Sequence, residues 1–203
     1  MIKQIVFDCN GVLAILDFEA YMSRVSGDPA MGKILVERLW IEGSPWLEYD
    51  RGRYTKEEMP EILAEYLPEI PIETIRVFLD GWAVSLTPIE GMEEIVQELQ
   101  AAGYPCYLLS NFNSQFEELR PFHPAIKALD GEVISYNIDM LKPDREIFDY
   151  TAQKFDFEPA ETLFIDDTLE NVEGAIAAGW HAYQFTDTTS FRRALVEMNI
   201  LDV

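Results

Sequence analysis

The apolar residues of this chain fall into short runs separated by longer stretches of mixed polarity. Short apolar runs are typical of parallel strands that are covered on both faces, where no position needs to be polar. Five such runs occur, at residues 3–7, 106–109, 133–136, 163–165 and 182–185. Helical patterns lie between most of them, so the sequence predicts an α/β fold built on a doubly wound parallel sheet.

Capping residues place the predicted helices. Thr87 and Glu90 have the spacing of a capping box with a proline in the first turn, which predicts a helix that runs to Gly103. The same reasoning predicts three later helices, over residues 143–155, 171–178 and 189–198. These helices supply the crossovers that a parallel sheet requires.

A long insertion separates the first two predicted strands. The chain between them is far longer than one crossover needs. Residues 16–86 contain helical segments, including one after a capping box at Thr55 and Glu58 and one that begins at Pro71, and no good strand. We therefore predict a core of residues 1–15 and 87–203 and an all-helical insert of residues 16–86. Active sites of such sheets lie at the carboxyl ends of strands, so the insert would cover the site as a cap.

Polar residues follow the predicted strands where those ends should meet. They are Asp8, Ser110, Asn111, Asp166 and Asp167, with Lys142 a few residues beyond the third strand. Carboxylates brought together repel one another unless a cation neutralises them. Oxygen ligands without histidine or cysteine favour Mg²⁺. The pattern thus predicts a magnesium site.

Composition narrows the function classes. With 15 Lys+Arg against 37 Asp+Glu, the net charge of −22 should repel nucleic acids and anionic membranes, and an anionic substrate would need a local cation. The two cysteines, Cys9 and Cys106, lie in or beside apolar runs and are expected to be buried thiols of a reducing compartment. With only two histidines, zinc or iron chemistry is not expected. No long apolar span and no secretory signal is found, so the expected location is cytoplasmic. No pattern indicates an oligomeric state.

Four short segments are similar to the signatures of a known family. They are residues 7–13 (FDCNGVL), 109–111 (LSN), 142–144 (KPD) and 164–167 (FIDD). In this order they resemble the four signatures of the haloacid dehalogenase-like (HAD) superfamily. The resemblance implies a Rossmann-like core with a helical cap, Mg²⁺, and hydrolysis of a small phosphorylated metabolite through an aspartyl-phosphate.

The resemblance also implies metal-binding roles. Asp8 would attack phosphorus while its other oxygen binds Mg²⁺. The backbone carbonyl of Asn10 and the carboxylate of Asp167 would be further ligands. Asp166 would bind the ion or orient one of its waters, and Asn171 would brace the site from the following helix.

The remaining signatures imply contacts with the phosphoryl group. Ser110 and the backbone amide of Asn111 would hold its oxygens. Lys142 would offset the negative charge of Asp8 and of the phosphoryl group.

Asn10 departs from the family pattern. Most phosphatases of the superfamily have an aspartate there, which protonates the leaving group and then activates water. An amide has no proton to exchange near neutral pH, and general acid–base catalysis contributes about 10²–10⁴-fold.

Three functions remain open after this substitution. The first is a phosphatase resembling bacterial sugar-phosphate phosphatases and the phosphatase domain of soluble epoxide hydrolases, acting on an ester with a good leaving group. The second is a phosphate-binding or regulatory module with little turnover. The third is a 2-haloacid dehalogenase, although those enzymes generally have tyrosine at this position and lack the paired acidic signature.

Aromatic residues and two arginines are concentrated in the predicted insert. An aromatic wall would suit a sugar or another flat organic phosphate, although packing inside the insert explains most such residues. Arg51 and Arg53 would be cations for the substrate if they lay near the opening. The aromatic residues are Trp40, Trp46, Tyr49, Tyr54, Phe78 and Trp82.

Overall fold

A five-stranded parallel sheet lies at the centre of the protein, as the apolar runs predict. The computed structural model describes residues 1–202. The seven strands are β1 Gln4–Phe7, β2 Ala14–Ile15, β3 Thr87–Pro88, β4 Cys106–Ser110, β5 Gly131–Ile134, β6 Thr162–Asp166 and β7 His181–Gln184. The central sheet has the order β5-β4-β1-β6-β7, and β2 and β3 form a separate antiparallel pair.

Eleven α-helices accompany these strands in the described chain. Those of the amino-terminal half are α1 Phe18–Ser26, α2 Pro29–Leu39, α3 Pro45–Asp50, α4 Met59–Tyr66, α5 Ile72–Gly81 and α6 Met92–Ala101. Those of the carboxyl-terminal half are α7 Phe116–Leu119, α8 Pro124–Ala128, α9 Arg145–Phe155, α10 Leu169–Ala177 and α11 Thr188–Glu197. Short 3₁₀ turns complete the list at Ala83–Ser85, Arg120–Phe122, Ser135–Asn137 and Pro159–Glu161.

Strand β1 is apolar throughout because both of its faces are covered. Ile5 and Phe7 belong to a core with side chains of α6 and α11, whereas Val6 belongs to a core with side chains of α9 and α10. Successive side chains of a strand point to opposite faces, so helices pack on both sides of the sheet. This arrangement is the predicted doubly wound fold. It also puts β1, between β4 and β6, at the middle of the sheet.

Helices α1 to α5 form the predicted helical insert. The described residues from the start of α1 to the end of α5 include no strand. Trp46 is 2% exposed and lies with its ring centroid 5.2–5.9 Å from those of Tyr49, Phe78 and Trp82. This confirms that several of the aromatic residues pack inside the insert. The antiparallel pair β2–β3 brings the two ends of the insert side by side. That the insert is a separate structural unit with boundaries at residues 16 and 86 stays a prediction.

The prediction of a capping box at Thr87 and Glu90 is wrong. Thr87 instead pairs with Ile15 in the short antiparallel ribbon, and α6 begins only at Met92, after Gly91 in the left-handed conformation (φ 82°). A pairing partner 72 residues away in sequence, which local spacing does not reveal, takes Thr87 out of the helix. The other box forms as predicted, because Thr55 and Glu58 exchange hydrogen bonds just before α4.

Smaller differences concern element ends. The third sheet strand, β5, ends at Ile134, two residues before the predicted end, and continues as a 3₁₀ turn. The helix predicted from residue 143 begins at Arg145, and the one predicted from residue 171 begins at Leu169. Both cysteines are free and buried, as expected. No helix in residues 1–202 is long and apolar enough to cross a bilayer.

Candidate active site

The loop after β1 brings Asp8 to the carboxyl edge of the sheet. Its amide donates to the carbonyl of Ile165 on β6, at 2.8 Å. The chain then turns sharply through Gly11, which has φ 86°. A Cβ on Gly11 would lie 2.4 Å from the carboxyl carbon of Asp167, so only glycine allows this close approach. The glycine of the first signature thus lets the first strand and the β6 loop meet.

Three carboxylates meet at this edge. Asp8, Asp166 and Asp167 each offer an oxygen, and these oxygens lie within 4.8 Å of one another. Asp166 is fully buried and bonded from several sides, by the amide of Thr168 at 2.9 Å and by Nδ2 of Asn171 at 3.1 Å. Asp167 is more exposed, and its side chain lines the cavity described below. Residues more than 150 positions apart in sequence are therefore joined, as parallel topology predicts.

Lys142 lies between two of these carboxylates. Its Nζ is 2.8 Å from Oδ1 of Asp8 and 2.6 Å from Oδ2 of Asp166, and the residue is 4% exposed. Burial alone would lower the pKa of Lys142, but the two carboxylates outweigh it, so the pKa is raised above its usual value. The buried side chain is consequently a permanent positive charge at the centre of the site.

One lysine does not neutralise three carboxylates. Burial is the largest cause that raises the pKa of Asp8 to about 7; Lys142 opposes this shift, and Asp166 and Asp167 add to it. Burial followed by repulsion from Asp166 also raises the pKa of Asp167. An added cation would stabilise the charged form of each carboxyl group and lower both pKa values.

The donor set fits Mg²⁺. All of its charged groups are carboxylates, two of the three are buried, and the described residues place no histidine or cysteine ligand with them. Hard oxygen ligands of this kind are those that Mg²⁺ prefers. Asp8 and Asp167 would hold the ion with the carbonyl of Asn10. Asp166 already accepts hydrogen bonds from Lys142 and Asn171, so it would be less available to the ion.

The two polar residues at the end of β4 take different positions. Ser110, the last residue of the strand, is 1% exposed, and its Oγ has no hydrogen-bond partner among the described residues. The side chain of Asn111 accepts from the amide of Lys142 at 2.8 Å and donates to its carbonyl at 2.9 Å. Asn111 therefore also holds the backbone that carries the lysine, a contact that the sequence did not predict.

A cavity of about 550 Å³ opens beside this cluster. Phe18, Trp40 and Leu47 of the insert form part of its wall opposite Asp8 and Lys142 of the core. An adjoining space of about 30 Å³ is lined by further rings, including Trp46, Trp82 and Phe112. Another cavity, of about 680 Å³, lies near Met1 and Trp180, and its described lining includes no carboxylate or lysine. The candidate site residues therefore line the first cavity and not the second.

Arg51 and Arg53 do not line this cavity. Nη2 of Arg51 is 3.3 Å from Asp144, and Nε of Arg53 is 2.8 Å from Asp139. Both arginines thus tie the insert to acidic residues of the core. The sequence could not tell such ion pairs from substrate contacts, because the acidic partners are more than 80 residues away in the chain.

Asp50 is a candidate residue that the sequence reasoning missed. It ends α3, is 5% exposed, and lines both the large cavity and the small adjoining space. Burial is the main cause that raises the pKa of its carboxyl group to about 7, while hydrogen bonds from Asn113 oppose the shift. No local pattern distinguishes it from its exposed acidic neighbours, since its burial depends on packing against the core.

Known proteins are similar to this chain over most of its length. A sesquiterpene phosphatase of Aspergillus oryzae is 28% identical over 191 residues, which cover 92% of this chain and 91% of the relative. A D-ribitol-5-phosphate phosphatase of Bacteroides thetaiotaomicron is 24% identical over 211 residues, with 96% and 97% covered. The crystal structure of a HAD family enzyme of Bacteroides thetaiotaomicron, in complex with magnesium and inorganic phosphate, has a TM-score of 0.71 at 22% identity, covering 93% of this chain and 96% of that one.

A family match agrees with the geometry. The model described as haloacid dehalogenase-like hydrolase matches residues 2–179, which include all four signatures, the helical insert and the whole carboxylate cluster. The fold is the predicted Rossmann-like core with a helical cap. This chain belongs to the haloacid dehalogenase-like hydrolases.

Proposed function

We propose that the protein is a Mg²⁺-dependent phosphatase that hydrolyses a small organic phosphate monoester through an aspartyl-phosphate on Asp8. The observation that carries the proposal is the group of three carboxylates around the buried Lys142, next to the unpartnered hydroxyl of Ser110. An anionic substrate otherwise faces a protein of net charge −22, so this fixed cation matters for binding.

Each residue has a separate task in this reaction. Asp8 supplies the nucleophilic oxygen that attacks phosphorus. Lys142 and Ser110 offset and hold the negative oxygens of the transferring group. Asn111 keeps the backbone of Lys142 in place through its two hydrogen bonds. Mg²⁺, held by Asp8, Asp167 and the Asn10 carbonyl, would supply further positive charge at the phosphoryl group.

The residues that line the cavity support a particular kind of organic group in the substrate. Phe18 and Trp40 give the organic part of the ester an aromatic surface, and apart from Asp8, Asp167 and Lys142 the charged residues of the lining are Asp50 and Glu170. This supports an organic group with an apolar or flat face, such as an isoprenoid, flavin or sugar. The curated relatives named for a sesquiterpene and for D-ribitol 5-phosphate represent two extremes of this range.

A hydrolysis screen tests the proposal. Phosphate release would be measured over isoprenoid, flavin, polyol and sugar phosphates, with Mg²⁺ and with EDTA, for the wild type and Asp8→Asn. We expect Mg²⁺-dependent release by the wild type and loss of about 10²-fold or more in the variant. Full turnover by Asp8→Asn would refute the mechanism. Phosphate binding by a folded wild type without any hydrolysis would favour the regulatory-module alternative, and halide release unaffected by EDTA would favour a dehalogenase.

A further inference from the structure

The proposed reaction needs a proton donor that Asn10 cannot be. When Asp8 attacks, the bond between phosphorus and the leaving oxygen breaks, and an alkoxide leaves slowly unless it is protonated. The described lining of the cavity contains few other groups that could give this proton. Lys142 is held between two carboxylates, Asp8 and Asp167 are assigned to the nucleophile and the metal, and Glu170 is exposed to solvent.

Asp50 is a carboxyl group that enters the cavity from the insert. It lines the cavity of about 550 Å³ together with Asp8 and Asp167 of the carboxylate cluster, and it lines the small space of about 30 Å³ together with Asn10 and Asn111. A space of this size has room for about one water molecule. A general acid acts within hydrogen-bond distance of its target, directly or through one water, and the small space that Asp50 lines would hold such a water.

The core holds Asp50 in this position from the back. Oδ1 accepts a hydrogen bond from Nδ2 of Asn113 at 2.9 Å, and the backbone carbonyl accepts one from Oγ of Ser135 at 2.6 Å. Asn113 and Ser135 are themselves buried. The carboxyl group is therefore oriented by neutral partners and not by a positive charge, which would keep it ionised.

The surroundings of Asp50 also favour an exchangeable proton. Its pKa of about 7 is set by burial and by Asn113. On its own helix, Glu48 and Arg51 pair with each other at 3.7 Å. The charged core residues that line the same large cavity are Asp8, Lys142, Asp167 and Glu170. A pKa near the working pH is the value at which a carboxyl group both gives and takes a proton efficiently.

We propose that Asp50 is the general acid of this enzyme, replacing in space the acid that Asn10 lacks in sequence. This inference rests on the proposed phosphatase function. In the first step Asp8 forms a bond to phosphorus, the bond to the leaving oxygen breaks, and the proton of Asp50 passes to that oxygen, so an alcohol departs. In the second step water attacks the aspartyl-phosphate and gives its proton to Asp50, which restores the acid and frees Asp8.

A purely structural role for Asp50 makes a different prediction. As a residue that only joins the insert to the core, it would affect all substrates equally. Asp50→Asn keeps an oxygen that can accept from Asn113 and removes only the acidic proton. The value of kcat/KM reports steps up to the departure of the alcohol, so it isolates the step in which the leaving group is protonated.

The test compares two esters whose leaving groups differ in their need for a proton. For 2-phenylethyl phosphate, Asp50→Asn should lower kcat/KM by about 10²-fold or more. For 4-nitrophenyl phosphate, whose leaving group departs as a stable anion, the loss should be below about tenfold. Adding Asn10→Asp to Asp50→Asn should restore much of the activity on the alkyl ester. Asp80→Asn, an exposed aspartate on α5, is the matched control and should change neither value.

The outcomes separate the two proposals. Equal losses on both esters, or no loss on either, in a protein whose wild type hydrolyses both, would overturn the role of Asp50 and leave the phosphatase intact. Hydrolysis of neither ester, nor of any compound in the metabolite screen, by a folded wild type would overturn both proposals.

Discussion

Replacing Asp50 with asparagine should make the protein more stable at neutral and alkaline pH. The folded state raises the pKa of this carboxyl from 3.8 to about 7, chiefly through burial. A group whose pKa is raised in the folded state is favourable there only when protonated. The wild type therefore has its full stability below about pH 4, loses stability as the pH rises towards 7, and changes no further from this group above that value.

The size of the effect follows from the shift. A difference of about three pKa units at 1.36 kcal/mol each corresponds to about 4 kcal/mol at pH 8, as an order of magnitude. Between pH 5 and pH 8 the wild type should lose about 3 kcal/mol of its free energy of unfolding through this group. Asparagine does not titrate and can keep the hydrogen bond from Asn113, so the variant should lack this loss.

Urea unfolding followed by far-ultraviolet circular dichroism at pH 5 and pH 8 provides the measurement. Other groups titrate in the same range, so the relevant quantity is the difference between wild type and variant at each pH. From pH 5 to pH 8 we expect the free energy of unfolding of Asp50→Asn to increase by about 3 kcal/mol relative to that of the wild type. For Asp80→Asn, the difference in free energy of unfolding from the wild type should stay constant. A difference that does not change with pH, or a variant that is less stable at pH 8, would refute the reasoning.

Three further changes test the site and the insert. Lys142→Met should reduce the free energy of unfolding by about 3–5 kcal/mol in EDTA, because two buried carboxylates lose their cation; an unchanged urea midpoint would contradict this. Gly11→Ala should abolish the increase in melting temperature that Mg²⁺ gives the wild type, since the new Cβ would displace Asp167. Trp46→Ala should lower the free energy of unfolding by about 3–5 kcal/mol, and a loss below about 1 kcal/mol would show that the aromatic cluster does not stabilise the insert.

The sequence predicts the central sheet well because its signals are local. A strand such as β1, covered on both faces, must be apolar at every position, and a residue such as Asp8 at its end is recognisable as an interruption. The ribbon between β2 and β3 is different. Each of its strands has two residues, and only their pairing across the insert defines them. Rules based on local sequence therefore predicted, wrongly, that Thr87 begins a helix.

The candidate site divides in the same way. Ser110 and Asp166 end β4 and β6, and Asp8 and Asp167 directly follow β1 and β6, so parallel topology brings them to one edge without further information. The position of Asp50 depends instead on how α3 rests on the loop after β4, through Asn113, and on the 3₁₀ turn after β5, through Ser135. Such a contact is set by tertiary packing, and no spacing along the chain encodes it. The same is true of the ion pairs of Arg51 and Arg53.

The position of Asp50 gives the insert a chemical task as well as a covering one. Ser135 bonds both to the carbonyl of Asp50 and to the backbone of Phe112, in the loop that begins at Asn111, after Ser110 at the end of β4. The group proposed to donate the proton is thus fixed to the loop next to Ser110, which is proposed to hold a phosphoryl oxygen, although the two come from different parts of the chain. Since the carboxyl reaches the cavity only when α3 rests on that loop, the proposed reaction would be complete only with the insert seated on the core. At alkaline pH the raised pKa of Asp50 corresponds to a stability cost of about 4 kcal/mol as an order of magnitude, which an uncharged amide that accepts the same hydrogen bond would not carry.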